Sequence, residues 1–363
     1  MRFLIFISFV LFISNQNKLE NVIIRALKSD HPKIKKVTEK IDQHELQIMI
    51  SYIDEKNNSY DYDFNLNAKN YYYPASTVKF PIALFTLEKI NEFPLINIDT
   101  PYRIQNDTTF YNIRNDINEI MVMSSNEAYN RLFEFLGQDY INSKLREKGM
   151  NNSKIYHRLS TSNSKNLFSK KISFFINDSL MIFDQKQNMK IKPLDIEKLN
   201  KGVGYIDNKG NLVKKPMNFS EKNYIPLDEL HKLSKVLFYP QNEKKLKLTQ
   251  DQYLFLKKSM NLSPSDIGYN KKKYPDTYSN FLVLGDRKKT IKKIKIYNKI
   301  GFAYGYVSET AFIETPKSSI IISIAMKVNE NQIFNDNNYE YEEIAIPFFA
   351  EFGREIIDII NSK

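Results

Sequence analysis

Strand-forming residues collect at the two ends of this chain, and helical periodicity fills the space between them. Leu46 to Ile53 and Tyr60 to Leu66 are rich in β-branched and aromatic residues, with the turn cluster Asp54 to Asn58 between them. Ile294 to Asn298, Tyr304 to Ile313 and Ser318 to Val328 are stronger runs of the same kind, separated by Gly and Pro-Lys. Such runs read as consecutive antiparallel strands. Strands so far apart in sequence have few local partners, so pairing across the chain ends into one sheet is the economical fold. Residues 18–43 carry apolar side chains at helical spacing, and Ala345 to Ile360 is an amphipathic closing helix. Between the strand-rich ends, Ser76 to Ile90 is apolar and helical, and residues 115–148 hold two or three more helices. Residues 151–290 are Lys- and Asn-rich, with a hairpin-like piece at 204–210 and helical pieces at Leu227 to Phe238 and Gln250 to Met260. The expected class is α+β: an antiparallel sheet built from both chain ends and flanked by helices, with a mostly α lobe between them.

Composition narrows the chemistry. The chain has 363 residues and no cysteine. Disulfides, thiolate nucleophiles, Cys-ligated zinc and a lipid-bearing cysteine are all excluded. The four histidines, at 31, 44, 157 and 231, are not spaced as metal ligands, and no G-x-S-x-G elbow surrounds any serine. No metal and no cofactor are expected, and a Ser-His-Asp hydrolase is disfavoured. The balance of 53 basic to 42 acidic side chains leaves a net charge of +11. Without a zinc-finger or RNP-type motif this reads as a solvated basic surface, not a nucleic-acid site.

The first residues set the compartment. Met1-Arg2 precedes an apolar run from Phe3 to Ile13 and then the polar Ser14 to Asn17. This pattern is that of a secretory signal peptide, assigned to residues 1–16. The run is shorter than the roughly 20 residues a bilayer requires. The remainder, 17–363, is expected as one exported, periplasmic domain with no stable membrane span. Within it, 17–75 and 290–363 form the α/β lobe, and 76–289 forms the mostly α lobe.

With thiols and histidine triads removed, a serine activated by lysine remains. In Ser76-Thr77-Val78-Lys79 a serine at the first turn of a helix has a lysine three residues on, over the same face. A desolvated lysine amine near other cations can lose its proton and act as base to the serine. The same spacing recurs at Ser162 to Lys165, so one match alone says little. Two further pieces accompany the first. Ser124-Ser125-Asn126 follows 48 residues after Ser76, behind an apolar run and ahead of a helix. Lys299-Ile300-Gly301 closes the first C-terminal strand. There the lysine offers a positive charge to a carboxylate, and the glycine permits close approach to the strand.

Tyr73 to Lys79, then Ser-x-Asn, then Lys-x-Gly, in that order, resembles the serine β-lactamase and penicillin-binding-protein superfamily, and the local contexts look most like class A β-lactamases. The resemblance implies a β-lactamase/transpeptidase-like fold. It implies Ser76 as acylated nucleophile, Lys79 as its base, Ser124 as proton shuttle and Asn126 as ligand for the substrate amide. It implies Lys299 as carboxylate ligand, Gly301 beside it, and the backbone N–H groups of Ser76 and Phe302 as oxyanion hole. The implied partner is a small β-lactam or a peptidoglycan-like substrate, with no nucleic acid.

Departures from the family pattern qualify this. Ser125 stands where Asp is usual, and Ile300 stands where Thr or Ser is usual. The 175-residue gap from Ser124 to Lys299 is far longer than in compact class A enzymes, which implies an insertion in the mostly α lobe at about 164–290. The loop that in class A carries the deacylating Glu is best matched by Arg158 to Asn163. Asn163 then takes the Glu position and cannot act as a general base. No Asp or Glu occurs from Asn151 to Ile176. The sequence therefore supports an exported serine hydrolase acylated at Ser76. The alternatives are a peptidase, esterase or penicillin-binding relative with slow deacylation, or a non-catalytic envelope-binding protein.

Overall fold

The computed structural model describes residues 22–53, 58–239, 246–287, 291 and 293–362. The proposed signal peptide lies outside the described residues. The leading helical segment is broken into a helical stretch over 22–27, α1 (Pro32–Thr38) and α2 (Ile41–His44). Pro32 is the cause of the first break, since it starts a helix readily and cannot continue one; the His31 side chain caps α1 by accepting from Lys33 N–H.

The central sheet has five strands and is antiparallel throughout. Two come from the first part of the chain, β1 (Gln47–Ile53) and β2 (Ser59–Phe64). The small strands β3 (Tyr102–Ile104), β4 (Ile172–Ile176) and β5 (Ser179–Phe183) form a separate three-stranded sheet. The insertion adds β6 (Asn200–Lys201), β7 (Gly204–Ile206), β8 (Leu212–Val213) and β9 (Met217–Asn218). The remaining sheet strands are β10 (Lys295–Ala303), β11 (Tyr306–Glu314) and β12 (Ser319–Lys327), followed by the short β13 (Ile333–Phe334). The main sheet runs β10-β11-β12-β1-β2, so the chain ends do pair, with Ile50 opposite Ile322. β10 is longer than the apolar run alone indicates. It continues through Lys299-Ile300-Gly301 because that segment pairs in register with Thr310, Glu309 and Ser308 of β11.

Two cores clothe the two faces of this sheet. On one face Ile296, Ile300, Ile320 and Ile322 pack with α1 and the closing helix α9 (Ile346–Asn361), through Phe348, Phe352 and Ile356. On the other lies the helical lobe, built around α3 (Lys79–Ile90), all of whose residues are buried. It is surrounded by α4 (Ile113–Val122), α5 (Asn126–Leu136), α6 (Gln138–Glu147), α7 (Leu227–Phe238) and α8 (Gln250–Ser259). α3 is largely apolar and buries even its Glu88 and Lys89, so it must be enclosed, which is how it holds its N-terminus fixed between sheet and lobe. The expected α+β class and its sheet of paired chain ends are what the structure has. Among the described residues no helix is long and apolar enough to cross a membrane.

Candidate active site

The site forms where β10 meets the start of α3. Pro74 leads into a 3-10 turn, Ala75–Val78, which carries Ser76 and passes directly into α3 at Lys79. Ala75 sits in the left-handed region (φ 47°), a conformation a non-glycine residue adopts only when its surroundings enforce it. Gly301 shows what enforces it. A Cβ at Gly301 would lie 2.7 Å from both Pro74 O and Ser76 N, so strand and turn are in backbone contact and only glycine fits. This contact brings Ser76 and Phe302 to the wall of one cavity.

Lys79 is fully buried, and its ammonium nitrogen is the centre of the arrangement. Nζ lies 2.8 Å from Ser76 Oγ, 2.8 Å from Asn126 Oδ1 and 3.2 Å from Ser124 Oγ, and it also bonds the Ser124 carbonyl. Lys299, equally buried, donates to Ser124 Oγ at 3.0 Å and to the Ile300 carbonyl at 2.8 Å. Ser124 (φ 56°) is therefore held between two lysines. Burial, then the nearby charge of Lys299, push the Lys79 amine well below the ordinary lysine range, against a weaker opposing pull from Glu127. Burial likewise pushes Lys299 down to about 7, with Glu309 opposing. Two ammonium groups this close disfavour each other's charge.

All seven residues singled out in the sequence come together here, in two ranks. Ser76, Asn126 and Phe302 line the cavity. Lys79 and Ser124 make the bonds behind Ser76, Lys299 reaches them through Ser124, and Gly301 shapes the turn. The departures from the family pattern also acquire reasons. Ser125 is the N-cap of α5, its Oγ accepting from Ala128 N–H at 3.2 Å, a task serine and aspartate perform about equally well. Ile300 is buried in the core beside α9 and is not part of the cavity wall.

The loop from Arg158 lies against the same cavity. Arg158 is buried and paired twice with Glu134 of α5, Nε to Oε1 at 2.6 Å and Nη2 to Oε2 at 2.8 Å. It also donates to the carbonyls of Asn166 (2.8 Å) and Phe168 (3.0 Å). Asn130 Nδ2 and Oδ1 bond Leu159 O and N, at 2.9 and 2.8 Å. Ser160, at φ 48°, then meets Asn126: Nδ2 donates to Ser160 Oγ at 2.9 Å. Asn163 is exposed and off the cavity wall, so the loop residue facing Asn126 is Ser160 and not the one the motif match indicates. The sequence carried no mark for Ser160, because its role depends on where Arg158 and Asn130 pin the loop. The cavity, about 970 Å³, has no Asp or Glu among its lining residues.

One histidine, His157, lines the cavity. His157 is buried, bonded to the Arg158 carbonyl and to Asn223 N–H, and burial pushes it down to about 4. His231 lies under the sheet between Ser51 and Ser323 and is pushed down to about 3 for the same reason. Among the described residues no group of three or more His, Cys, Asp or Glu could hold a metal ion.

The fold is of the β-lactamase/transpeptidase-like kind. Residues 32–199 match the family model described as the β-lactamase enzyme family, a span that holds the first two motifs and ends before Lys299. The sequence matches no curated protein. Among solved structures, the β-lactamase of Sphaerobacter thermophilus is 12% identical, with a TM-score of 0.55 over 94% of this chain and 97% of that one. The β-lactamase of Desulfarculus baarsii is 9% identical, with a TM-score of 0.55 over 92% and 97%. A class A β-lactamase of Clostridium kluyveri is 15% identical, with a TM-score of 0.51 over 90% and 98%. At these identities the likeness is one of fold.

Proposed function

We propose that the chain is an exported serine hydrolase, acylated at Ser76 by a β-lactam or a related peptide-like amide, whose acyl-enzyme is released slowly. The observation that carries this reading is the Lys79 amine. It is buried, depressed below its ordinary range and 2.8 Å from Ser76 Oγ. A neutral amine has two N–H donors and one lone pair. The Ser124 carbonyl and Asn126 Oδ1 can only accept, so they take both donors. The lone pair is left to the Ser76 O–H.

The chemistry follows from these contacts. Ser76 Oγ attacks the amide carbonyl while its proton passes to Lys79 Nζ. The Ser76 and Phe302 N–H groups receive the oxyanion. The proton returns through Ser124 Oγ to the leaving nitrogen, the C–N bond breaks and an ester on Ser76 remains. Hydrolysis of that ester needs a water and a general base. No carboxylate lines the cavity, which supports slow deacylation. Export to the periplasm is supported by the signal-like pattern of residues 1–16.

Intact-mass spectrometry during incubation with benzylpenicillin tests the reading. The expected result is one adduct of the drug's mass that persists for many minutes, absent in Ser76→Ala. Neither adduct nor hydrolysis would overturn the proposal, and fast turnover without an adduct would remove slow deacylation from it.

The pH dependence of acylation offers a second test. Lys79 must be neutral to accept the proton, so the rate rises as pH climbs through its depressed range. Lys299 is charged below about 7 and helps to hold that range down. Lys299→Met removes the like charge and raises the Lys79 range, so the acidic limb of the profile is expected to move to higher pH. A limb that stays put or moves down would contradict the role given to Lys79.

A further inference from the structure

The β10–β11 hairpin ends in a two-residue loop, Tyr304-Gly305, since Ala303 pairs directly with Tyr306. Both loop residues have positive φ, 54° and 74°. Two-residue turns of this kind match the twist of the strands, and Gly is suited to them where Tyr is not. A tyrosine held there is in a disfavoured conformation that its surroundings must impose. They do so with rings: Tyr73 packs edge-on at 5.1 Å and Phe219 at 5.7 Å. The clamped ring presents its hydroxyl to Lys222, whose Nζ is 3.3 Å from the oxygen and 5.1 Å from the ring centroid.

Lys222 comes from the insertion and lines the same cavity as Ser76. Its charge is unmatched in a way the other cations there are not. Arg158 is neutralised by Glu134, and Lys165 is paired with Glu221. Among the described residues Lys222 forms no ion pair; its ammonium meets a phenol oxygen instead. With no acidic side chain on the wall, the cavity presents one uncompensated cation beside one hydroxyl that can donate.

The direction of the strand says which part of a substrate this pair meets. Ser124, bonded by both Lys79 and Lys299, serves the leaving nitrogen, so the leaving half points towards Lys299. Phe302 lies beyond Lys299 on β10, and Tyr304 lies two residues further, roughly 7 Å along an extended strand. The acyl half, the part that stays on Ser76, therefore extends towards Tyr304.

We propose that Lys222 and the Tyr304 hydroxyl form an anion subsite for the acyl half of the substrate, so that this chain prefers amides whose acyl side group carries a carboxylate. The inference rests on acylation at Ser76. In the subsite Lys222 donates to the carboxylate, and Tyr304 accepts from Lys222 while donating its own hydrogen to the anion. Ile300 offers no hydroxyl on the leaving side, which is consistent with recognition moved to the other half of the substrate.

A matched pair of penicillins tests it. Carbenicillin differs from benzylpenicillin by one carboxylate on the acyl side chain. Lys222→Met is expected to lower the ratio of carbenicillin to benzylpenicillin acylation rates about tenfold to a hundredfold, the worth of a charge-assisted hydrogen bond. Tyr304→Phe, which keeps the ring packing, is expected to lower the ratio less. An unchanged ratio in folded Lys222→Met and Tyr304→Phe overturns the subsite and leaves acylation standing. Failure of the parent protein to form an adduct with either drug overturns the Ser76 reading and the subsite with it.

Discussion

Replacing Lys79 with methionine is expected to slow acylation of Ser76 by about 10²–10⁴-fold, the usual worth of a positioned general base. Methionine keeps most of the shape in a site with no spare room, since Lys79 is fully buried. What it removes is the nitrogen that lies 2.8 Å from Ser76 Oγ and bonds the Ser124 carbonyl and Asn126. Stranding those two acceptors costs about 1–3 kcal/mol each, which thermal unfolding would register. The rate loss is separate and is read on folded protein by stopped-flow or intact mass with benzylpenicillin. Lys79→Arg should not restore it, because a guanidinium stays protonated and cannot take the serine proton. Acylation within threefold of the parent rate in Lys79→Met would remove Lys79 from the chemistry.

The second large effect is on stability. Glu134→Ala is expected to destabilise the fold by about 3–5 kcal/mol, the cost of leaving one partner of a buried ion pair alone. The Arg158 guanidinium would lose both short bonds to Glu134 while remaining enclosed. Lys170 N–H, which donates to the same carboxylate at 2.8 Å, would lose its acceptor too. Because Arg158 also ties down Asn166 and Phe168, the loop that carries Ser160 should loosen. Urea unfolding measures the first effect, and amide exchange over residues 158–170 measures the second. A loss below about 1 kcal/mol would put the pair in the class of weak surface bridges. Replacing both partners by apolar residues of similar size should recover much of the stability, since no charge is then left buried and unpaired.

The parts of this molecule legible in its sequence are those encoded by local period and by short motifs. β11 and β12 stand out because β-branched and aromatic residues fill them on both faces, as a central strand between two cores requires. α3 was legible for a related reason, since its body from Phe80 to Leu87 is almost wholly apolar. Ser76, Lys79 and Asn126 could be singled out because their spacing is short and their order along the chain is characteristic. The leading helix read less well. Its apolar spacing runs through 18–43, but Pro32 and the exposed turn at Lys40 divide it, and a period cannot show where packing makes a break tolerable.

The loop after Arg158 shows most clearly where sequence reasoning stops. Counting from the arginine puts Asn163 at the critical position, whereas the structure turns Ser160 towards Asn126. Which side chain faces the cavity depends on Asn130 and Glu134, residues on α5 that no spacing within the loop reveals. Lys222 is more distant still. It is one of many lysines in a basic stretch, and only the placement of the insertion against Tyr304 distinguishes it.

The sequence by itself determined that the chain has strand-rich ends around a helical middle, that no thiol chemistry is open to it, and that one serine has a lysine a helical turn away. These are properties of composition and local period, and they do not depend on what lies across the fold. Only the tertiary structure decided that Lys79 is buried beside a second lysine, which is what depresses its amine. Only the tertiary structure decided that Gly301 lets a strand touch the serine turn, and that no carboxylate faces the cavity. Each of these joins residues far apart in the chain, and both desolvation and contact are set by what surrounds a group in space.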